Sequence, residues 1–482
     1  MGVRHMASFL RSQCYQRVDL RNFADSENEN VLVFDVLGCS DRYIWRNTLI
    51  WDFEDMLEKV MLDVNAFRKA GFELLVVLDA GVDDDKIGTW IKRRKMDLKA
   101  VQRLNESTIR EEIPRNLQVW HSPLSCVEYL NQAFRRAGCR VYFANGEADH
   151  EAAWLAVSEQ ACGVLTCDTD FLMYCGIKRY FDSQTIEFDE EGGIYVEMVD
   201  KGLLLETLGL TESQLPAIAG VCGNDVLNGQ PQWIAKHVLE NADGVAKFEA
   251  AVTKLGSMSE DAWCGQCQKA ISHYTPIEPS PQTSQHLLTF ILRTRQVFVR
   301  GVSTGSLKQR SVHKVLGSLR RAAYARLGLR SVHERVCCPQ DPPSKWLEGD
   351  TIQLNESQPR VPDIPSDPVD VVVMACGFLF TCGALEEFHC KALVLQIQDR
   401  SRLLEEMDKR ESACVPTLDD VHAAMLFLEA VECLCIGQDR RYPMCWELFH
   451  GPLFHCICHD RQLVNECNLL FGGFDWGPVV SA

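Results

Sequence analysis

The sequence predicts an α/β protein built on a doubly wound, mostly parallel sheet and followed by a mainly helical C-terminal region. Apolar runs of strand length recur through the first half: VLVFDV at 31–36, LLVVL at 74–78 and RVYFA at 140–144. Near-continuous apolar runs are the pattern of strands buried on both faces. Between them lie stretches with the apolar spacing of helices, and strands alternating with helices give a parallel sheet. After about Val199 helical spacing dominates.

Taken in order, Val31–Val36 is the first strand, Trp51–Phe67 a helix, and Leu74–Leu78 the second strand. A charged helical stretch runs from Lys86 to about Asn105. Ser122 can cap a helix that takes Pro123 at its first position, runs to Arg136 and stops at Gly138. Arg140–Ala144 is the third strand, Glu147–Glu159 a helix, and Val164–Thr166 a short fourth strand. Residues 339–368 are rich in Pro, Ser, Asp and Gln and read as a linker or long surface loop. The expected divisions are therefore 1–260, 261–338 (helical and basic), 339–368 (linker) and 369–482 (helical and Cys-rich).

The 482 residues carry 46% hydrophobic and 24% charged side chains, ordinary for a core-forming protein. The formal charge of −18, from 49 Lys+Arg against 67 Asp+Glu, argues against coating nucleic acid or an anionic membrane by bulk charge. It leaves room for a local basic patch. MGVRHMASFLRSQ has no apolar core of a secretory signal, and Met6 breaks the myristoylation pattern after Gly2. The longest apolar run, Val371–Phe380, is far short of the roughly 20 residues that span a bilayer. The expectation is a soluble, non-secreted protein without a membrane partner. The 22 cysteines are irregularly spaced and suit a reducing compartment, where Cys is a small core residue. Neither Cys264-x-x-Cys267 nor His455-Cys456-Ile457-Cys458-His459 has a second half at finger-like spacing, so no zinc is expected.

The informative acids are those at strand ends, where open parallel sheets gather functional groups. Asp35 lies near the end of the first strand, Asp79 follows the second, and Glu147 and Asp149 occupy the turn after the third. Asp168 and Asp170 follow the fourth. At i and i+2 in extended chain the last two point to the same face. Like charges brought together stay ionised only with a counter-charge, and hard divalent cations such as Mg²⁺ prefer oxygen ligands. The corresponding chemistry is phosphodiester hydrolysis at two metal ions about 3.5–4 Å apart. Asp83-Asp84-Asp85, by contrast, reads as a solvated charge run.

These motifs, in this order, resemble the XPG/flap-endonuclease (PIN-like) superfamily, and more closely its asteroid branch. The resemblance covers roughly residues 1–235 and rests on MGVR, FDVLG, VVLDAG, GEADHEAAWLA, VLTCDTDFLMY and VCGNDVLN. It implies a PIN-like fold and a metal site of Asp35, Asp79, Glu147, Asp149, Asp168, Asp170 and a seventh acid, Asp225, holding Mg²⁺ or Mn²⁺. Lys86 and Arg93, seven and fourteen residues after Asp79, match the family's phosphate-stabilising pair, with Lys92, Arg94 and Lys95 around them. The implied activity is structure-specific cleavage of DNA with single-stranded or overhanging parts, in repair or end processing, with repair proteins as partners. That role places the protein in the nucleus, with the cytoplasm as the alternative. His5 stands where the family start has its second Gly, Val226–Pro231 lacks the Gly-x-Gly hairpin, and no clamp-binding motif ends the chain. A catalytically quiet scaffold or signalling protein, or an RNA-acting PIN nuclease, is the alternative on the same fold.

Two segments reverse the overall charge. Residues 86–115 hold nine basic and four acidic side chains, and 293–335 hold eleven basic and one acidic. In 314–330 the apolar stripe Leu316, Leu319, Ala323, Leu327 predicts that Arg320 and Arg321 lie towards solvent as nucleic-acid contacts.

Overall fold

The computed structural model describes residues 2–24, 30–38, 43, 51–79, 81–82, 86–96, 99, 126–144, 148–224, 243–257, 259, 263, 265–275, 296–299, 312–336, 350–354, 359, 361, 363–407, 417–435, 444–467 and 476–480. In chain order its first half runs α1 (Met6–Gln13), β1 (Gln16–Asp19), β2 (Asn30–Asp35), α2 (Phe53–Lys69), β3 (Phe72–Leu78), α3 (87–96), α4 (Cys126–Arg136) and β4 (Arg140–Phe143). There follow α5 (Ala148–Ser158), β5 (Gly163–Thr166), β6 (Arg179–Asp182), β7 (Glu187–Phe188), β8 (Ile194–Asp200), α6 (Lys201–Leu208), α7 (Ala217–Cys222), α8 (Gly244–Gly256) and α9 (Gly265–His273).

The chain forms two compact units: 1–42, 60–89 and 134–285 make the first, and 43–59, 90–133 and 286–482 the second. The units thus interleave along the sequence.

The first unit is organised by one mixed sheet of order β1-β8-β6-β5-β2-β3-β4, with β7 also paired to β8. From β6 to β4 all neighbours are parallel, whereas β8 joins β6, β1 and β7 antiparallel. β2 and β3 are apolar and buried nearly throughout, as central parallel strands must be. The four predicted strands are all present within one or two residues of the expected ends. β1, β6, β7 and β8 come in addition: β8 largely alternates between buried and half-buried positions, β1 and β7 are largely exposed, and β6 is only four residues long, all fainter signals than a continuous apolar run.

The strand order decides where the acids meet. From β2 the chain moves outward to β3 and β4, then returns to lay β5 on the other side of β2. The chain therefore leaves β2 and β5 for strands on opposite sides, the switch point at which open parallel sheets gather functional groups. Helix α5 packs over β2, β3 and β5, and α1, α7, α8 and α9 pack among themselves, with Phe9 of α1 against Phe248 of α8 at 4.9 Å. His5, where the family start has Gly, takes a left-handed φ of 70° immediately before α1. The backbone turn is kept, and histidine is among the residues enriched in that region.

The second unit contains β9 (Gln296–Val299), α10 (Val312–Arg326), β10 (Ser331–Val336), β11 (Asp350–Gln353), α11 (Pro368–Thr381), α12 (Glu387–Gln398), α13 (Arg400–Met407) and α14 (Leu418–Cys435), followed by shorter helices. β10 lies parallel to β9 and antiparallel to β11. Residues 350–353, expected inside a linker, are thus an edge strand held by ladder hydrogen bonds. The apolar run 371–380 lies in α11, capped by Asp367 accepting from Val369 N at 2.8 Å, and packs on α12 and α14. No described helix is long and apolar enough to cross a membrane.

Candidate functional site

Asp35 ends β2 and is only 7% exposed. Its Oδ2 accepts from Thr166 Oγ1 at 2.8 Å and its Oδ1 from Gly38 N at 3.2 Å. Thr166 ends the neighbouring β5, and its Oγ1 also accepts from Asp168 N at 3.1 Å. One threonine hydroxyl therefore ties the end of β2 to the turn after β5. Asp168 Oδ1 accepts from Asp170 N at 3.0 Å, opening the short 3₁₀ helix Thr169–Met173. Gly2 sits against this turn with φ of 114°, where an added Cβ would stand 2.5 Å from Thr169 Oγ1 and 2.9 Å from Asp168 Oδ1. Only glycine fits there.

Asp79 follows β3, and its Oδ1 accepts from Ala148 N at 2.7 Å. It thereby satisfies a free N–H at the start of α5, the helix that carries Asp149 in its first turn. Asp149 Oδ2 in turn receives Lys86 Nζ at 2.7 Å, with both side chains about one-fifth exposed (18% and 24%). The expected Lys86 is thus at the carboxylates. Lys92, Arg93 and Lys95 are exposed on the part of α3 that belongs to the second unit, and Arg94 there is half-buried.

The electrostatics show one neighbourhood of like charge. Burial pushes Asp35 up to about 7, helped by the fields of Asp149 and then Asp79. Burial and Asp149 raise Asp168. Asp170 is pushed up to about 8 by burial and then by Asp168. The nearby Tyr274 hydroxyl and the charge of Lys86 pull the other way. Asp35, Asp79, Asp149, Asp168 and Asp170 are therefore brought together from the ends of β2, β3 and β5 and the start of α5. Glu147 and Asp225 lie outside the described residues.

An orphaned polar atom marks the deficit. Among the described residues, Asp170 Oδ1 is buried with no hydrogen-bond donor. No three His, Cys, Asp or Glu side chains among those residues are disposed as ligands of one ion. The donor set is all oxygen and its charge is incompletely compensated, which fits a hard, hydrated cation reached partly through water. Sequence reasoning missed three residues. Thr166 and Asn224 directly adjoin acid motifs, and that adjacency was the available signal. Tyr274 had none, because only packing brings it to Asp170.

The second basic segment corrects an expectation. Arg320 does not lie towards solvent: it is 5% exposed and forms a two-pronged ion pair with Glu334, Nε to Oε1 at 2.6 Å and Nη2 to Oε2 at 3.1 Å. Tyr324 OH donates to the same Oε1 at 2.7 Å. The face of α10 that packs on α14 is wider than the predicted apolar stripe and takes Arg320 with it. Arg320 is withdrawn as a nucleic-acid contact, and Arg321 is half-buried. Cys267, from the first cysteine pair, is simply a core residue.

Residues 138–225, which include Glu147, Asp149, Asp168, Asp170 and Asp225, match the family model for the XPG I-region. This segment resembles an XPG I-region. The resemblance to the XPG/flap-endonuclease superfamily and its asteroid branch therefore stands. The constitutive coactivator of peroxisome proliferator-activated receptor gamma from Homo sapiens is 26% identical over 242 residues, covering 47% of this chain and 26% of that protein. The Bos taurus counterpart is 25% identical, over 47% of this chain and 33% of that one. The chain thus spans a quarter to a third of the length of these relatives. Among solved structures, the catalytic core of Rad2 in complex with DNA substrate is 16% identical, covers 61% of this chain and 94% of that one, and has a TM-score of 0.36. Flap endonuclease-1 from Methanococcus jannaschii is 13% identical, with 59% and 91% covered and a TM-score of 0.38.

Proposed function

We propose that the first unit is a metal-dependent nuclease that hydrolyses phosphodiester bonds in DNA with single-stranded or overhanging parts, in repair or end processing in the nucleus. The observation that carries this reading is the buried, under-compensated carboxylate group at the carboxyl ends of adjacent parallel strands. Asp35, Asp79, Glu147, Asp149, Asp168, Asp170 and Asp225 would hold Mg²⁺ or Mn²⁺ directly or through water. The bound ions would supply charge neutralisation for attacking and leaving oxygens. Thr166 fixes Asp35 and the Asp168 backbone in one arrangement. Asp79 holds the first turn of α5 and so sets where Asp149 stands. Lys86, held by Asp149, offers its ammonium to negative charge developing on a phosphate. Arg93 would add a second cation from α3, and Lys92, Arg94 and Lys95 would bear on the backbone of the substrate.

The test is cleavage of labelled single-stranded, overhang, flap and duplex DNA with Mg²⁺ or Mn²⁺, alongside RNA strands. Wild type should cut, and Asp168→Ala and Glu147→Ala should each lose at least about 10²-fold in rate. Intact substrates with wild type, or equal cutting by both variants, would sink the assignment. A second reading, binding without cleavage, draws on Asp79 being engaged as a helix cap and Asp149 by Lys86, and on the relatives named as coactivators. Retained binding without any cutting in the same assay would favour it. Preference for the RNA strands would favour an RNA-acting nuclease instead.

A further inference from the structure

Asp170 is gripped on one side only. Asn224 Nδ2 donates to its Oδ2 at 3.4 Å, and the same amide donates to the Tyr274 hydroxyl. That hydroxyl thereby holds the Asn224 amide in place against Asp170. A carboxylate accepts on two oxygens, and donors confined to one side fix its plane while sparing the other. The spared atom is Oδ1, buried and without a donor among the described residues.

The fold has to work to assemble this arrangement, because Tyr274 and Asn224 are fifty residues apart. Helix α7 ends at Gly223, whose carbonyl is held by Arg4 N at 3.0 Å, and Asn224 is the next residue. Helix α9 lies against α7 so closely that a Cβ at Gly220 would stand 2.6 Å from the backbone N and Cα of Cys267. A side chain at that position would push α9 away and withdraw Tyr274, which follows α9 directly and is 1% exposed. The Tyr274 ring is packed edge-on against Tyr174, with centroids 5.1 Å apart, so its hydroxyl has a fixed address.

We infer that Asn224 and Tyr274 are positioning residues that orient Asp170 so that its Oδ1 is presented to a divalent cation. The inference rests on the metal-dependent reading of the carboxylate site. Ligating carboxylates are themselves hydrogen-bonded, and loss of such a support costs about 10–100-fold in metal affinity.

The experiment is Mn²⁺ titration of the full chain at fixed pH, by calorimetry and by electron paramagnetic resonance, for wild type, Asp170→Ala, Tyr274→Phe and Asn224→Leu. Tyr274→Phe keeps the packed ring and removes only the hydroxyl. The expected result is loss of a Mn²⁺ site in Asp170→Ala, and about 10–100-fold weaker binding with an altered resonance line shape in Tyr274→Phe and Asn224→Leu. Should Asn224→Leu fail to fold, Tyr274→Phe decides alone. If Asp170→Ala loses the ion while Tyr274→Phe binds like wild type, the positioning role is overturned and the metal reading survives. The role is overturned in that case even if Tyr274→Phe melts lower, since a purely structural residue moves stability alone. If wild type takes up no Mn²⁺, or Asp170→Ala binds as wild type does, the metal reading falls and this inference with it.

Discussion

Two of the places where the described residues bury charge do it in opposite ways. In the second unit, Glu334 receives three donor groups from Arg320 and Tyr324, so a buried carboxylate is balanced by a buried guanidinium and a hydroxyl. In the first unit, Asp35, Asp168 and Asp170 are buried beside further acids, their proton affinities are raised, and Asp170 Oδ1 lacks a donor among the described residues. The first pattern is self-contained and structural. The second leaves a deficit that a bound cation would offset, and groups perturbed in this way cluster at functional sites.

The largest expected effect breaks the balanced pair. Glu334→Ala strands Arg320 in the interior and should cost about 3–5 kcal/mol in denaturant unfolding of the full chain. A cost under about 1 kcal/mol would mean that Arg320 reaches water after all. Next comes Lys86→Ala, which should lower kcat about 10²–10³-fold on DNA. Its effect on stability should stay below about 1 kcal/mol, because its pairing with Asp149 is partly exposed. A large loss of stability with unchanged kcat would make Lys86 structural.

The unbalanced group should show itself through pH. Asp35 and Asp170 titrate at about 7 and about 8 in the folded chain against an ordinary 3.8. Between those values the folded state binds more protons than the unfolded chain, so metal-free stability is full at acid pH and falls as pH rises towards about 8. Melting curves across that range should show the decline, and Asp170→Asn should flatten it. Saturating Mg²⁺ should restore stability on the alkaline side, because a ligand of the folded state alone stabilises it. A metal-free profile that rises with pH would contradict the site's electrostatics. The smallest effect concerns the exposed cations. Removing Lys92, Arg93 and Lys95 together should reduce the salt slope of DNA binding by about 0.7–0.9 for each phosphate no longer neutralised. An unchanged slope would remove α3 from the interface.

What could be read from the chain differs by element for physical reasons. β2 and β3 were legible because burial on both faces writes an unbroken apolar run. β8 was not, since an antiparallel strand with one wetter face alternates, as its burial pattern does. Lys86 was singled out because its spacing from Asp79 matches the family it resembles, while Arg320 was misplaced. A helical stripe says which side of α10 is most apolar, but not how wide a face its neighbours cover.

By itself the sequence determined four of the strands and the acids at their ends, because a strand's apolar content and the residue that follows it are local properties. Only the tertiary structure decided that β5 returns beside β2, so that Thr166 joins Asp35 to the Asp168 turn. It also decided that Asp79 caps the helix bearing Asp149, and that Asn224 and Tyr274 close on Asp170. Those facts depend on which surfaces meet across long stretches of chain, and a side chain's partner in space leaves no mark on its neighbours in sequence.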